Sequence, residues 1–309
     1  MAKGRKVFFN VWFWTGFSPD FTAYGTNALF HLTDRHKMEK EKRLLAWNRS
    51  WEFMKKPLRQ TLVRNASKPK VSIIIPVFNE KRTLARVIQQ AYAVHKACEV
   101  IVVCNGSKDG TKQLARRLGA IVIEFKEQLG HDVGRSIGAR VAKGDVILFL
   151  DGDMVISARE LRPFVKAVSD GVDVALNSYS GLTNRKEIHQ VVAAKHALNA
   201  ILGRADLKGA SMTTIPHAIS RKALHEIEAE NLAVPPKSQA IAQATKLRME
   251  AVHYINVLKL NPLRRKSRKL DPVGDLIVGD HLEAIYWLTL QHGERYGKTD
   301  MGRKRELVR

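Results

Sequence analysis

From Val71 onward the hydrophobic positions alternate between short continuous runs and amphipathic stretches, the pattern of strands and helices taken in turn. Val71-Ser72-Ile73-Ile74-Ile75-Pro76 reads as a buried strand closed by proline. A helix then opens at Asn79-Glu80 and runs to Lys96, with Leu84, Val87, Ile88, Ala91 and Tyr92 on its inner face. Val100 to Cys104 is a second strand, followed by the turn Asn105-Gly106-Ser107-Lys108-Asp109-Gly110-Thr111, which caps a helix. Ala120 to Phe125 is a third strand and Val133 to Ala142 a helix. Val146 to Leu150 is an apolar run that ends abruptly in Asp151-Gly152-Asp153. Strands rich in Val and Ile, separated by helices of this length, predict an α/β fold: a doubly wound, mostly parallel sheet with helices on both faces and right-handed crossovers.

The second half is less regular. Helices are predicted over Ala158 to Val168, Lys186 to Gly203, Ser220 to Glu228, Gln239 to Glu250 and Ile277 to His292, with strands at Val172 to Ser178 and Val252 to Leu258. Gly209 to Ile215 is small and polar, and Asn261 to Lys269 is a basic loop. The expected organisation is a basic, Trp-rich extension over 1–70, a first catalytic half over 71–155, a second over 156–297 and a basic tail over 298–309. The extension holds 15 Lys and Arg against 5 Asp and Glu, and four of the five Trp. Within it, Leu44, Trp47, Trp51, Met54 and Leu58 mark one stripe of a basic amphipathic helix. Such a helix docks on the catalytic core or lies on an anionic membrane.

Composition adds one strong constraint. The net charge is +22, which implies polyanionic company: phosphates, an anionic membrane surface or nucleic acid. Aromatics are only 7% of residues and no nucleic-acid module signature occurs, so nucleic acid is not the expected partner; a basic nucleic-acid-binding protein is the alternative reading. The two cysteines, Cys98 and Cys104, form no metal spacing, which suits a reducing compartment. No apolar run reaches the ~18 residues of a membrane span. Val7 to Phe17, at 11 residues and without a small-residue cleavage site, is not read as a signal peptide. The expected location is cytoplasmic, peripheral at the inner membrane face.

The chemistry converges on strand ends. Pro76 to Glu80, Cys104 to Thr111 and Asp151 to Asp153 each follow a predicted parallel strand, so they share one edge and one crevice. Two carboxylates one residue apart repel each other unless a cation lies between them, and hard oxygen ligands favour Mg²⁺ or Mn²⁺. A metal beside helix N-termini suits a diphosphate. Neither a Gly-x-x-x-x-Gly-Lys-Ser/Thr loop nor a Gly-x-Gly-x-x-Gly turn is present. His217, after the small polar loop, is a candidate acceptor contact.

Four ordered motifs carry a family resemblance. They are Ser72 to Glu80, Asn105 to Thr111, Arg135-Ser136-Ile137-Gly138 with Ala142-Lys143-Gly144-Asp145, and Phe149 to Asp153. In order and spacing they resemble family 2 glycosyltransferases of the GT-A fold. The resemblance implies a nucleotide-sugar donor (a UDP-sugar favoured), Mn²⁺ or Mg²⁺ at the Asp-x-Asp motif, and inversion at the anomeric carbon. It implies a glycan, lipid-linked or phosphorylated acceptor. Carried over by position, Pro76, Val77, Phe78, Asn79 and Glu80 cradle the nucleoside, with Ser107 and Gly152 beside them, and Asn105 faces the base. Arg135 offsets diphosphate charge, Asp151 approaches the ribose or a metal-bound water, and Asp153 binds the metal. The family's acidic pair ahead of a late helix corresponds to Asp280-His281, making Asp280 the candidate general base and His281 a third metal ligand; Asp275 and Glu283 stand in reserve. The chain departs from the family at Cys104-Asn105, Ser136 and His281, where Asp, Asn and Asp are commoner.

Overall fold

Seven strands form one mixed sheet in the computed structural model, which describes residues 64–260 and 271–308. They are β1 (Val71–Val77), β2 (Cys98–Asn105), β3 (Ile121–Phe125), β4 (Val146–Phe149), β5 (Val174–Asn177), β6 (His217–Ser220) and β7 (Met249–His253). The order across the sheet is β3-β2-β1-β4-β6-β5-β7. β2, β3 and β4 run parallel to β1 or its neighbour, β6 runs antiparallel to β4 and β5, and β7 is parallel to β5. All described residues fall within one compact unit, Gln60–Arg309. The predicted amphipathic helix of the extension and the basic loop after Asn261 lie outside the described residues.

The two-residue period of β1 divides the core. Ile73 and Ile75 point to the layer holding α1 (Leu84–Tyr92), α2 (Thr111–Arg117) and α4 (Ala158–Ser169), with Leu84, Ile88, Leu161 and Phe164. Ile74 points to the opposite layer, with Ile101, Phe149, Ala139 of α3 (Val133–Val141), Leu224 of α6 (Arg221–Ile227) and Ile241 of α7 (Pro235–Ala244). Gly138 lets α3 lie flat on the sheet, since a Cβ there would collide with Ile74. At the amino-terminal edge a buried polar set, Ser72 Oγ to Glu99 Oε1 at 2.6 Å and the Gly144 amide to Ser72 Oγ at 2.8 Å, ties β1, β2 and the turn before β4 together.

The remaining helices are α5 (Gln190–Ile201), α8 (Val257–Leu260) and α9 (Pro272–His292). Three sequence expectations are corrected here. The helix predicted over Gln239 to Glu250 ends at Ala244, because Lys246 adopts a left-handed φ of 59° and turns the chain into β7. The strand predicted over Val252 to Leu258 lies earlier, at Met249–His253. The last helix begins at Pro272, capped by the Asp271 carboxylate accepting from the Gly274 amide at 3.0 Å. Asp280 therefore sits inside α9, not ahead of it.

Candidate active site

The carboxyl ends of β2, β1 and β4 are adjacent and parallel, so their loops meet. Phe78 and Asn79 are exposed at the rim, Pro76 and Glu80 are half-buried, and Val77 is buried. Two loops lock to each other. The Asn79 amide donates to Ser107 Oγ at 3.1 Å, and the Lys108 amide donates to Asn79 Oδ1 at 2.8 Å. The Glu80 amide donates to Thr111 Oγ1 at 3.0 Å and the Lys81 amide to Asp109 at 3.1 Å. Asn79 adopts a φ of 56°, which asparagine tolerates because its side chain bonds locally. These bonds replace the helix start predicted at Asn79, and α1 begins at Leu84.

The Asp151-Gly152-Asp153 turn packs on this pair of loops. Gly152 is buried against Val77, with no room for a Cβ, and its carbonyl accepts from Thr83 Oγ1 at 2.7 Å. Asp151 and Asp153 remain half-buried at the crevice. Asn105 does not face the crevice through a free amide. Its nitrogen donates to the Gly130 carbonyl at 3.0 Å and its oxygen accepts from the Leu129 amide, so it holds the loop before α3.

Arg135 is the electrostatic centre. It is buried at the start of α3, with Nη1 2.7 Å from Asp132 Oδ1 and Nη2 3.2 Å from Asp151 Oδ1. Burial alone works against the guanidinium charge, and the two carboxylates more than offset it, so its pKa is raised. Nε and Nη1 of Arg135 and Oδ2 of Asp132 are buried without a hydrogen bond. Asp132 had no part in the sequence reading. Its signal was available: an acid ahead of a helix, three residues before an arginine. It is held at a φ of 61°.

Asp280, half-buried on α9, feels the charge of Asp132. Burial, the charge of Asp132 and that of Glu283 push its carboxyl up to about 6, with His131 opposing. The two reserve acids are engaged elsewhere: Glu283 pairs with Lys237 at 3.3 Å and Asp275 accepts from Gln190 at 2.8 Å.

Two histidine expectations are corrected. His217 lies within β6, 2% exposed, stacked on Phe149 with centroids 4.8 Å apart. Burial and then Arg135 push its pKa down to about 3, so it is a neutral core ring and not an acceptor contact. His281 is buried on the inner side of α9, with Nδ1 2.7 Å from the Ile277 carbonyl of its own helix. The nearby charge, after burial, is that of Lys195 on α5. Lys195 is itself buried, donates to Thr214 Oγ1 at 2.6 Å, and is pushed by burial down to about 8. His281 therefore completes no metal site. Among the described residues no three His, Cys, Asp or Glu side chains group as metal ligands.

The donor set still fits a hard divalent cation of one kind. Magnesium and manganese are commonly held by one or two carboxylates with substrate phosphates supplying the rest. Asp151 and Asp153 are such a pair, and the acids near Arg135 outnumber its single charge.

Comparison with solved structures places this architecture in the GT-A class. Glucosyl-3-phosphoglycerate synthase from Mycobacterium tuberculosis, in complex with Mn²⁺, UDP-glucose and phosphoglyceric acid, superposes with a TM-score of 0.52 at 19% identity, over 76% of this chain and 82% of that one. Its UDP complex superposes with the same score. The model of the glycosyl transferase family 2 matches residues 72–227, and the chain belongs to that family. Among curated relatives, glycosyltransferase AglE of Haloferax volcanii is 40% identical over 117 residues, 34% of this chain and 38% of that protein. The undecaprenyl-phosphate 4-deoxy-4-formamido-L-arabinose transferase of Aeromonas hydrophila is 30% identical over 114 residues, 34% of this chain and 35% of that protein. The chain thus spans little more than a third of the length of these relatives.

Proposed function

We propose that this protein transfers a sugar from a nucleoside-diphosphate sugar, a UDP-sugar in the first instance, to an acceptor hydroxyl with inversion. The observation that carries this reading is a charge arrangement: Arg135 buried between Asp132 and Asp151, with the Asp280 carboxyl on α9 raised in part by the charge of Asp132. Asp280 takes the acceptor's hydroxyl proton as that oxygen attacks the anomeric carbon. The bond from that carbon to the diphosphate breaks, and its electron pair leaves with the nucleoside diphosphate. A carboxyl with a pKa near 6 is ionised at neutral pH yet basic enough to accept the proton. Arg135, fixed by its ion pairs, provides positive charge where the diphosphate develops negative charge.

Asp151 and Asp153 are the residues that would hold Mn²⁺ or Mg²⁺, which supplies Lewis-acid stabilisation of the leaving diphosphate. Support for the donor and the metal comes from the glucosyl-3-phosphoglycerate synthase complexes with Mn²⁺ and UDP-glucose. That synthase's phosphoglyceric acid ligand and the undecaprenyl-phosphate named for the Aeromonas relative both argue for an acceptor carrying phosphate. The excess of positive charge agrees with such an acceptor. The test is a screen of nucleotide-sugars for cleavage with Mn²⁺ or Mg²⁺, run with and without phosphorylated acceptors. The reading expects cleavage of at least one UDP-sugar, lost in Asp153→Ala. Absence of cleavage for every donor with either ion overturns it.

A further inference from the structure

Lys195 departs from the rule that buried charges are paired. It projects from α5, 5% exposed, and donates to Thr214 Oγ1 at 2.6 Å. Among the described residues no carboxylate acts on it, and burial alone pushes its pKa down. A methionine of similar length would fill the same space without the desolvation cost, so the ammonium opposes stability where it stands.

An acceptor for its remaining protons lies in the same interior. His281 Nδ1 is 2.7 Å from the Ile277 carbonyl, which only accepts, so Nδ1 carries the ring proton and Nε2 a lone pair. That Nε2 is buried with no hydrogen-bond partner. Burial, with the charge of Lys195 adding to it and the bond to Ile277 opposing, holds the ring below the ordinary histidine pKa, so Nε2 remains an acceptor. A bridging water or a turn of the lysine side chain joins the two.

Thr214, Lys195 and His281 belong to three parts of the molecule. Thr214 is in the loop entering β6, and His217, three residues on, pairs with Phe149 just ahead of the Asp151 turn. Lys195 is on α5, and His281 is on α9 next to Asp280. Before His281 the contacts of α9 with α5 are exposed and polar: Asp271 with His189 at 3.1 Å and Asp275 with Gln190 at 2.8 Å. Beyond it Glu283 meets Lys237, and Ala284 and Leu288 pack with Leu198, Leu202 and Ala240. Surface pairs and apolar packing are weakly directional. A buried hydrogen bond to His281 fixes the rotation of the turn that bears Asp280.

We propose that Lys195 is a positioning residue: its ammonium links Thr214 to His281 and thereby sets the rotation of α9 that orients Asp280. The consequence for catalysis rests on the proposed transfer; the link itself does not.

The test compares Lys195→Met, His281→Leu and their double variant with His281→Gln, whose amide oxygen stands in for Nε2. One readout is kcat and donor KM for metal-dependent nucleotide-sugar cleavage. The other is the carboxyl ¹³C titration of Asp280, which needs no activity. Lys195→Met is expected to lower kcat about tenfold or more with donor KM unchanged, the mark of a misplaced group. Its Tm should equal or exceed that of wild type, since a buried unpaired charge has gone. The Asp280 midpoint should move from about 6 towards the ordinary aspartate range. Burial, Asp132, Glu283 and His131 are the influences on that carboxyl, and Lys195 is not among them, so a downward move reports geometry. The double variant should lose no more than the larger single loss, and His281→Gln should keep most of the wild-type kcat. Wild-type kcat with an unmoved Asp280 titration in Lys195→Met overturns the proposal. So do additive losses in the double variant, or a kcat loss that tracks a lowered Tm, which is a structural role alone. A wild type that cleaves no nucleotide-sugar while the Asp280 midpoint moves as stated refutes the transfer reading and leaves the link standing.

Discussion

Asp280 carries two consequences of opposite sign. As the proposed base it must be ionised, so kcat/KM should fall as pH drops through about 6. For stability the linkage runs the other way. Its folded pKa is raised above the unfolded value, so between about 4 and 6 the native state holds the extra proton. Stability is therefore lost as pH rises through that window, and the ionised group opposes folding at neutral pH. Asp280→Asn should lower kcat by about 10²–10⁴-fold with donor affinity nearly intact. The same variant should melt higher than wild type at pH 8 and show no advantage at pH 4. Equal transfer by the variant removes Asp280 from the mechanism. Equal melting behaviour at both pH values removes the electrostatic account of its shift.

Arg135 and Asp132 test a different principle at the same scale. Both are buried, and deleting Arg135 leaves the charge of Asp132 without its arginine partner. Arg135→Ala should destabilise by about 3–5 kcal/mol, the usual cost of breaking a buried pair. Asp132→Asn should cost less, because Asp151 still faces the guanidinium. It should also move the acidic limb of the pH profile to lower pH, by removing one of the charges that raise Asp280. Urea unfolding and pH–rate profiles of the two variants check both statements.

At the scale of the element, α3 is positioned by absence of side chain. Gly138 faces Ile74 of the central strand, and Gly134 has Pro76 Cβ 2.9 Å from where its own would stand. Gly138→Val should force α3 off the sheet at a cost of about 1–3 kcal/mol or more. Because α3 carries Arg135 at its first turn, donor affinity should weaken along with stability. Thermal unfolding alongside a nucleotide titration would show whether the two losses travel together. The elements themselves were unevenly legible. β1, β2 and β4 are continuous apolar runs buried on both faces, and such runs announce themselves without partners. β6 is four residues long, begins with His217 and is antiparallel, so neither length nor texture distinguishes it from a loop. It could be recognised only by its pairing with Phe149 and Leu148. The start of α9 was misplaced for a related reason. Its first turns, Pro272 to Leu276, look like a loop beside the basic run, and the cap at Asp271 shows only in the hydrogen bond to Gly274. That error put Asp280 at a helix start, yet the residue still feels the charge of Asp132. His281 points elsewhere because one step along a helix turns a side chain by about 100°, here onto the buried inner face of α9.

For the molecule as a whole, the crevice is a charge problem that folding leaves unfinished. The carboxylates of Asp132 and Asp151 lie on a single guanidinium, Asp280 feels the charge of Asp132, and Asp153 follows Asp151 in the same loop. The proposed donor would add a diphosphate to that acidic set. A nucleoside diphosphate alone should therefore bind weakly, and a divalent cation alone should bind weakly at only two carboxylates. Together they neutralise each other and should show positive coupling, each tightening the other by the same factor. Ligand that binds only the native state stabilises by RT ln(1 + [L]/Kd), about 2.7 kcal/mol at one hundred times Kd. For a unit of this size that corresponds to a rise in Tm of about 5–10 °C. We expect UDP with Mn²⁺ to reach this range while either alone gives a small fraction of it. Asp153→Ala should abolish the excess over the separate effects without altering the unliganded Tm by more than about 1–2 °C, since the side chain is half-buried at a loop. Chelation should return wild type to its UDP-only value. A melting temperature indifferent to the pair, tested across nucleoside diphosphates and both cations, would show that the acids at the end of β4 hold no metal-bound diphosphate.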